Sequence, residues 1–386
     1  MKILQISNYL YPHIGGIEQV ARDIAASLHD REDTEQMIIC FNEDAQDGEY
    51  TCRRGENVTD EVDGVKVVRC GCIAKAASQS ISLSYPCGLK RTLADFAPDI
   101  VIFHYPNPYV ASFLLPMLKK ETKLIVYWHL DITKQKYLGK LFHFQTLRLC
   151  RRASRIVATS PNYIDGSPYL SRFRDKCTVI PNCISADRLK MTPAIEEKAE
   201  KIRRRFAGKT IVFAVGRHVE YKGMKYLVRA AKFLGDDFAV LIGGKGPLTG
   251  ELFRERAGDK NVRMLGRIDD ETLAACLTAC DIFAFPSITK NEAFGIALAE
   301  GMYFGKPAVT FTIKGSGVNY VSLDGVTGTE CPNADTEAYA EALKKLAYDE
   351  ELRGRYGAAA RQRVMDNFMF EGFRDRVNRL ITEVEP

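Results

Sequence analysis

The chain has 386 residues, 46% of them hydrophobic and 27% charged, with a net charge of +5. That balance suits about two ordinary globular domains and excludes low-complexity, collagenous and strongly basic nucleic-acid-binding classes. No apolar run approaches the roughly 20 residues needed to cross a bilayer. The opening MKILQISNYL reads as a strand, not a signal peptide, so a cytoplasmic protein is expected.

Charge is uneven along the chain. Residues 119–176 carry 13 Lys/Arg against 4 Asp/Glu, whereas residues 1–118 carry 10 against 16. A basic half-face of this kind suits an anionic surface. The eleven cysteines follow no disulfide framework. Cys276 and Cys280, four apart on an expected helix, read as core thiols of a reducing compartment more readily than as a metal pair.

In chain order, MKILQIS (1–7) is a short strand. The loop NYLYPHIGG follows, then an amphipathic helix from Ile17 to Leu28. Buried strands are expected at 65–70, 99–105, 123–129 and 155–160, with helical patterns at 110–120 and 139–153. The style then repeats. Strands are expected at 178–181, 211–216, 238–244, 262–266, 282–287 and 307–311, with helices at 223–234, 271–279, 293–304 and 336–347 and a helical tail over 350–386. Short apolar strands alternating with helices predict parallel α/β sheets. The fold class expected is therefore two Rossmann-like doubly wound domains facing a central cleft. Residues 1–182 form the first, joined by a C-terminal helix at 369–386, and residues 183–368 form the second. Ligands of such sheets sit beyond the carboxyl ends of the strands. His13, Gly15, Gly16, His104, His129, Arg217, Lys222 and Glu292 all fall there.

Three constellations stand out. In GRHVEYKG (216–223), Arg217 and Lys222 leave a strand end just before a helix. A forked guanidinium, a point-charge ammonium and a helix start suit a diphosphate. In EAFGIALAE (292–300), Glu292 precedes a helix and Glu300 lies within it, while amides near Ala293, Phe294 and Gly295 can hold an anion. Carboxylates accept two hydroxyls at once. Two acceptors flanking an anion site suit a molecule with phosphates at its centre and hydroxylated rings at either end, which describes a nucleotide sugar. In the first half, Gly15 and Gly16 precede a helix start, and His129 ends a strand with Asp131 two residues on. The glycines of IGGKGPL (242–248) lack both the dinucleotide spacing and the acidic ribose partner, so a nicotinamide site is rejected.

Together, PHIGGIE, YWHLDI, TSPNYIDGSPYL, IPNCI, GRHVEYKG, VRMLGRI, EAFGIALAE and GKPAV, in that order over nearly the whole chain, resemble the retaining glycosyltransferases of family four, which have the GT-B fold. The resemblance implies that Arg217 and Lys222 hold the donor diphosphate and that Glu300 binds the nucleotide ribose. Glu292, with Ala293, Phe294 and Gly295, would contact the donor sugar. Gly15 and Gly16 would lie against the phosphates, and His129 would face the transferred sugar. The backbone at Arg267 and Ile268 would meet the base. Catalytic roles are expected for Glu292, His129, Arg217 and Lys222.

The resemblance further implies retention of configuration without an enzymic nucleophile. The chain has no D-x-D, and fixed cations replace a metal, so no metal and no cofactor is expected. WHLDITKQK and HYPNP most resemble the subgroup that adds mannose or rhamnose-like sugars to bacterial lipid-linked glycans. A hexosyl transfer in cell-surface polysaccharide synthesis is therefore expected, from GDP-mannose first and UDP-sugars next, to a glycan or lipid-linked acceptor. The basic 119–176 region would visit the anionic inner face of the membrane, and no nucleic-acid partner is expected. A nucleotide-sugar epimerase on the same fold and a non-catalytic nucleotide-sugar-binding protein are the rival readings. One departure is Cys183, where the family has glycine after IPN. A changed turn is expected there.

Overall fold

The computed structural model describes residues 1–13, 15–44, 49–50, 53, 55–76, 79–132 and 136–385, with backbone alone at 43–44, 49–50, 76, 136–141 and 187. Ile14 of the glycine loop and residues 133–135 of the expected acceptor peptide lie outside the described residues. The chain divides into two compact units. Met1–Thr159, Ser167–Ile180 and Glu371–Pro386 form the first, and Ser160–Gly166 with Pro181–Phe370 the second.

The first unit holds an eight-stranded sheet. From one edge its order is Cys177–Val179, Arg155–Ala158, Lys123–Trp128, Ile100–Tyr105, Lys2–Ile6, Glu35–Phe41, Val65–Cys70 and Val58–Val62. Every pairing is parallel except the last. All six residues of Ile100–Tyr105 are buried, as a strand covered by helices on both faces requires. The elements that sequence reading missed here include two strands of the main sheet and one helix. Glu35–Phe41 is a strand whose apolar run is short. Val58–Val62 is an antiparallel edge, joined to Val65–Cys70 through Asp63 and Gly64, both with positive φ (52° and 77°). That is the geometry of a tight two-residue hairpin. Tyr85–Phe96 is a helix with Pro86 in its first turn. The helix Phe370–Val384 belongs to this unit, where Asn378 Nδ2 donates to the Ser27 carbonyl at 2.9 Å.

The second unit is a six-stranded, all-parallel sheet, ordered Val262–Gly266, Phe238–Gly243, Thr210–Val215, Ile282–Phe285, Ala308–Phe311 and Gly328–Cys331. The charged stretch 186–208, which offered no clear element in the sequence, contains the helix Pro193–Arg205. Thr192 caps it by accepting from the Ile195 amide at 3.3 Å, Pro193 pre-sets its first turn, and Ile195 and Ala199 bury against Ala274, Ala275 and Ala279. The tail breaks into Glu350–Asn367 and Phe370–Val384. At the break, the Ile184 amide donates to the Phe368 carbonyl at 2.9 Å. Cys183 is buried, and its φ lies outside the left-handed region, so the position holds a side chain without strain. Cys276 and Cys280 are buried core thiols; burial pushes them up to about 11 and about 12 respectively.

Among its parallel strands, each sheet has one place where chain order reverses. In the first it lies between Lys2–Ile6 and Ile100–Tyr105, in the second between Thr210–Val215 and Ile282–Phe285. Loops diverge at such points and leave a crevice for ligands.

Candidate active site

In the second unit the two loops at the reversal point are stitched together. The Ile288 amide donates to the Tyr221 carbonyl at 3.0 Å. Gly223, at φ 63° and ψ 18°, ends the short turn Glu220–Lys222 and starts the helix Met224–Ala231; a Cβ there would meet the Pro286 carbonyl. This close approach brings Lys222 to Glu292. Their side chains form an ion pair, 15% and 11% exposed.

Burial works against the Lys222 charge, but the Glu292 carboxylate outweighs it and holds the ammonium above its usual pKa. Lys222 Nζ also lies 5.2 Å from the Phe285 ring centre and 5.6 Å from that of Tyr221, a cation–π setting. Ser287 Oγ donates to Glu292 Oε2 at 3.2 Å, and the Ser316 hydroxyl donates to the Glu292 carbonyl. Removing one partner of such a pair leaves the other charge uncompensated, at a cost of about 3–5 kcal/mol when fully buried.

Gly295 begins the helix Ile296–Tyr303 in the left-handed region, at φ 95° and ψ 68°. The chain thereby turns sharply after Glu292, and the first helical amides, which have no intrahelical acceptor, follow immediately. Phe294 is buried edge-on against Phe368, with ring centres 5.3 Å apart. Ala293 is partly exposed. Arg217 is exposed; its carbonyl accepts from the Val219 amide at 2.9 Å, and among the described residues its side chain makes no ion pair or hydrogen bond. Its loop is held by His218, whose Nδ1 lies 2.9 Å from Thr249 Oγ1. Arg267 is exposed at the end of Val262–Gly266, while Ile268 packs over Gly243.

Glu300 is buried, not solvated as its place on a helix alone would allow. Its carboxylate pairs with Arg188, which also reaches Asp270 Oδ1 at 3.2 Å. Sequence reasoning missed Arg188, because the turn Asp187–Leu189 that carries it is about 110 residues away in the chain. The structure thus joins Lys222 to Glu292 and Glu300 to Arg188.

In the first unit Gly15 caps the helix Gly16–Ser27, and its added Cβ would strike the Glu18 carboxylate. Glu18 lies 3.7 Å from His13. Burial raises its pKa to about 7. His129 is buried, and Asp131 is not its partner. Asp131 instead accepts from Trp128 Nε1 at 3.0 Å and Ser167 Oγ at 2.8 Å, while His129 Nε2 meets His104 Nδ1 at 2.9 Å.

Two parallel-sheet α/β units, each with polar groups gathered at its reversal point, define a GT-B architecture. Comparison with known proteins agrees. Residues 15–183 match the glycosyl transferase 4-like domain and residues 195–363 the glycosyl transferases group 1 model. The chain is 30% identical to O-antigen chain mannosyltransferase C of Escherichia coli, over 99% of this chain and 98% of that protein. It is 36% identical to the D-rhamnosyltransferase WbpZ of Pseudomonas aeruginosa, over 70% and 69%. Among solved structures, sucrose-phosphate synthase from Thermosynechococcus elongatus superposes with a TM-score of 0.80 at 18% identity, covering 99% and 98%. The chain belongs to the family-four glycosyltransferases, as the ordered motifs implied, and it is a glycosyltransferase.

Glu18 yields a stability prediction. Its folded pKa of about 7 lies above the ordinary glutamate value of 4.5. Folding therefore favours the protonated form, and this stabilisation is lost as pH rises through 7. Glu18→Gln is expected to exceed the wild type in stability by about 3 kcal/mol at pH 8, with the gap closing towards pH 5. Thermal melts across that range check it, and a gap independent of pH would contradict it.

Proposed function

We propose that the protein transfers a hexose, with retention of anomeric configuration and without a metal ion, from a nucleoside-diphosphate sugar to a glycan or lipid-linked acceptor in cell-surface polysaccharide synthesis. GDP-mannose is the favoured donor and UDP-sugars come next. The observation that carries this reading is the Lys222–Glu292 pair at a strand-order reversal, next to the start of the Ile296–Tyr303 helix. The names of the two relatives, a mannosyltransferase and a rhamnosyltransferase, support a hexose donor of this class.

Breaking the sugar–phosphate bond builds negative charge on the leaving diphosphate and positive charge on the sugar. Lys222, Arg217 and the first helical amides stabilise the diphosphate as fixed electrostatics. Because these cations are in place before reaction, the leaving group needs no divalent ion. Glu292, anchored by Lys222 and Ser287, accepts hydrogen bonds from sugar hydroxyls. Glu300 exchanges Arg188 for the ribose hydroxyls. Arg267 and Ile268 present backbone to the base, and the amides of Gly15 and Gly16 approach the phosphates. The acceptor hydroxyl attacks from the face the leaving group departs, and the departing phosphate takes its proton.

Donor panels test this directly. Thermal shift is expected to be largest with GDP-mannose, and product NMR to show the donor's anomeric configuration. Chelator is expected to leave the rate unchanged. Lys222→Ala is expected to lower kcat by about 10²–10³, and an unchanged kcat would remove the assignment. An epimerised sugar nucleotide formed without acceptor would establish the epimerase reading instead.

We also propose that the basic region 119–176 docks on an anionic inner membrane surface. No helix among the described residues is long and apolar enough to cross a membrane. On the helix Lys136–Arg152, Phe144 is 74% exposed, and Arg148 and Arg151 are exposed at the following helical positions of the same face. Arg152 and Lys176 serve the fold instead, donating to backbone carbonyls around Lys119–Thr122 and Cys150–Ala153 respectively. Flotation with anionic liposomes is expected to carry the protein, and equal partitioning with neutral liposomes would refute docking.

A further inference from the structure

Three buried side chains at the reversal point of the first sheet form one hydrogen-bonded line. Gln5 Nε2 donates to the Ala21 carbonyl at 3.2 Å. Gln5 Oε1 lies 3.1 Å from His104 Nε2, and His104 Nδ1 lies 2.9 Å from His129 Nε2. The two imidazoles are nearly coplanar, at 8°, with centres 5.2 Å apart. Each ring therefore meets the other along its nitrogen lone-pair direction, as a hydrogen bond prefers.

Only one arrangement of protons satisfies this line. The Ala21 carbonyl accepts only, so the Gln5 amide must turn its NH₂ there and its oxygen to His104. That oxygen also accepts only, so His104 Nε2 carries the proton. Burial pushes the His104 pKa down to about 3 and drives His129 well below its usual value, so both rings are neutral. His104 Nδ1 is then a bare acceptor, and His129 Nε2 must donate to it. His129 Nδ1 is left without a proton. It has no hydrogen-bond partner among the described residues, and it is not among the buried polar atoms that lack one, so it reaches the surface of the unit. His129 is the outermost member of the line, at 6% exposed, against 0% for His104 and 1% for Gln5.

We propose that Gln5 and His104 are positioning residues that fix His129, the residue expected to face the transferred sugar, in the tautomer with a bare, solvent-facing Nδ1 that can accept from a hydroxyl. The identity of that substrate rests on the function proposed above. A bare imidazole nitrogen selects hydroxyl or N–H donors and rejects carboxylate and phosphate oxygens. It also adds no positive charge beside a sugar that becomes positive as its bond to phosphate breaks. A histidinium in the same place would oppose that charge.

The test has two parts. The full chain has six histidines, so a ¹⁵N-histidine spectrum at neutral pH can be assigned by single substitutions. The expected spectrum shows His129 with Nε2 protonated and Nδ1 bare, and His104 likewise. A protonated His129 Nδ1 would overturn the proposal.

In His104→Asn the side-chain oxygen takes the place of Nδ1 and still accepts from His129, so kcat/KM is expected to stay within about threefold of the wild type. His104→Phe removes the acceptor and is expected to lose about tenfold or more, the worth of one hydrogen bond, with a melting temperature similar to that of the Asn variant. Equal losses in the two variants, or none in either, would refute the positioning role. Absence of turnover with every donor would sink the transferase chemistry, while the nitrogen shifts report the relay independently.

Discussion

The second unit is organised around a single electrostatic constraint: an ammonium and a carboxylate, both mostly withdrawn from water, must stay together. Lys222 comes from the loop after one strand and Glu292 from the loop after its neighbour. Neither charge is tolerable alone at that depth. The glycine at 223, the backbone bond from Ile288 to Tyr221 and the hydroxyl of Ser287 all serve to hold the two loops at the required separation. The pair is also a poised one. An anion arriving at Lys222 gains a cation already fixed in place, and Glu292 keeps lone pairs for other donors.

The first unit is built on a contrasting principle. Its reversal point carries a neutral chain of amide and imidazole groups, with low imidazole pKa values enforced by burial. One unit thus offers charge and the other offers directional, uncharged hydrogen bonding.

Much of this was legible from the sequence. Period and apolar runs gave the sheets where strands are wholly buried, as in Ile100–Tyr105, because burial on both faces leaves a continuous hydrophobic signature. The hairpin strand Val58–Val62 escaped because three consecutive exposed polar residues, Thr59, Asp60 and Glu61, separate its two partly buried valines, leaving no alternating or apolar run. The helix Pro193–Arg205 escaped because only a narrow alanine-lined stripe faces the core. Arg217, Lys222, Glu292 and Glu300 could be picked out because each sits at a fixed distance from a strand end or helix start. Arg188, Ser316, Gln5 and the role of His104 could not, since their importance lies in a partner far away in the chain. Asp131, two residues from His129 in sequence, proved to serve Trp128 and Ser167.

The most direct measurement is a crystal structure of the protein with GDP bound. The account predicts diphosphate oxygens within hydrogen-bonding distance of Lys222 Nζ and the first amides of the Ile296–Tyr303 helix, with the ribose hydroxyls on Glu300 in place of Arg188. A nucleotide bound elsewhere on the chain, with both ion pairs undisturbed, would contradict it.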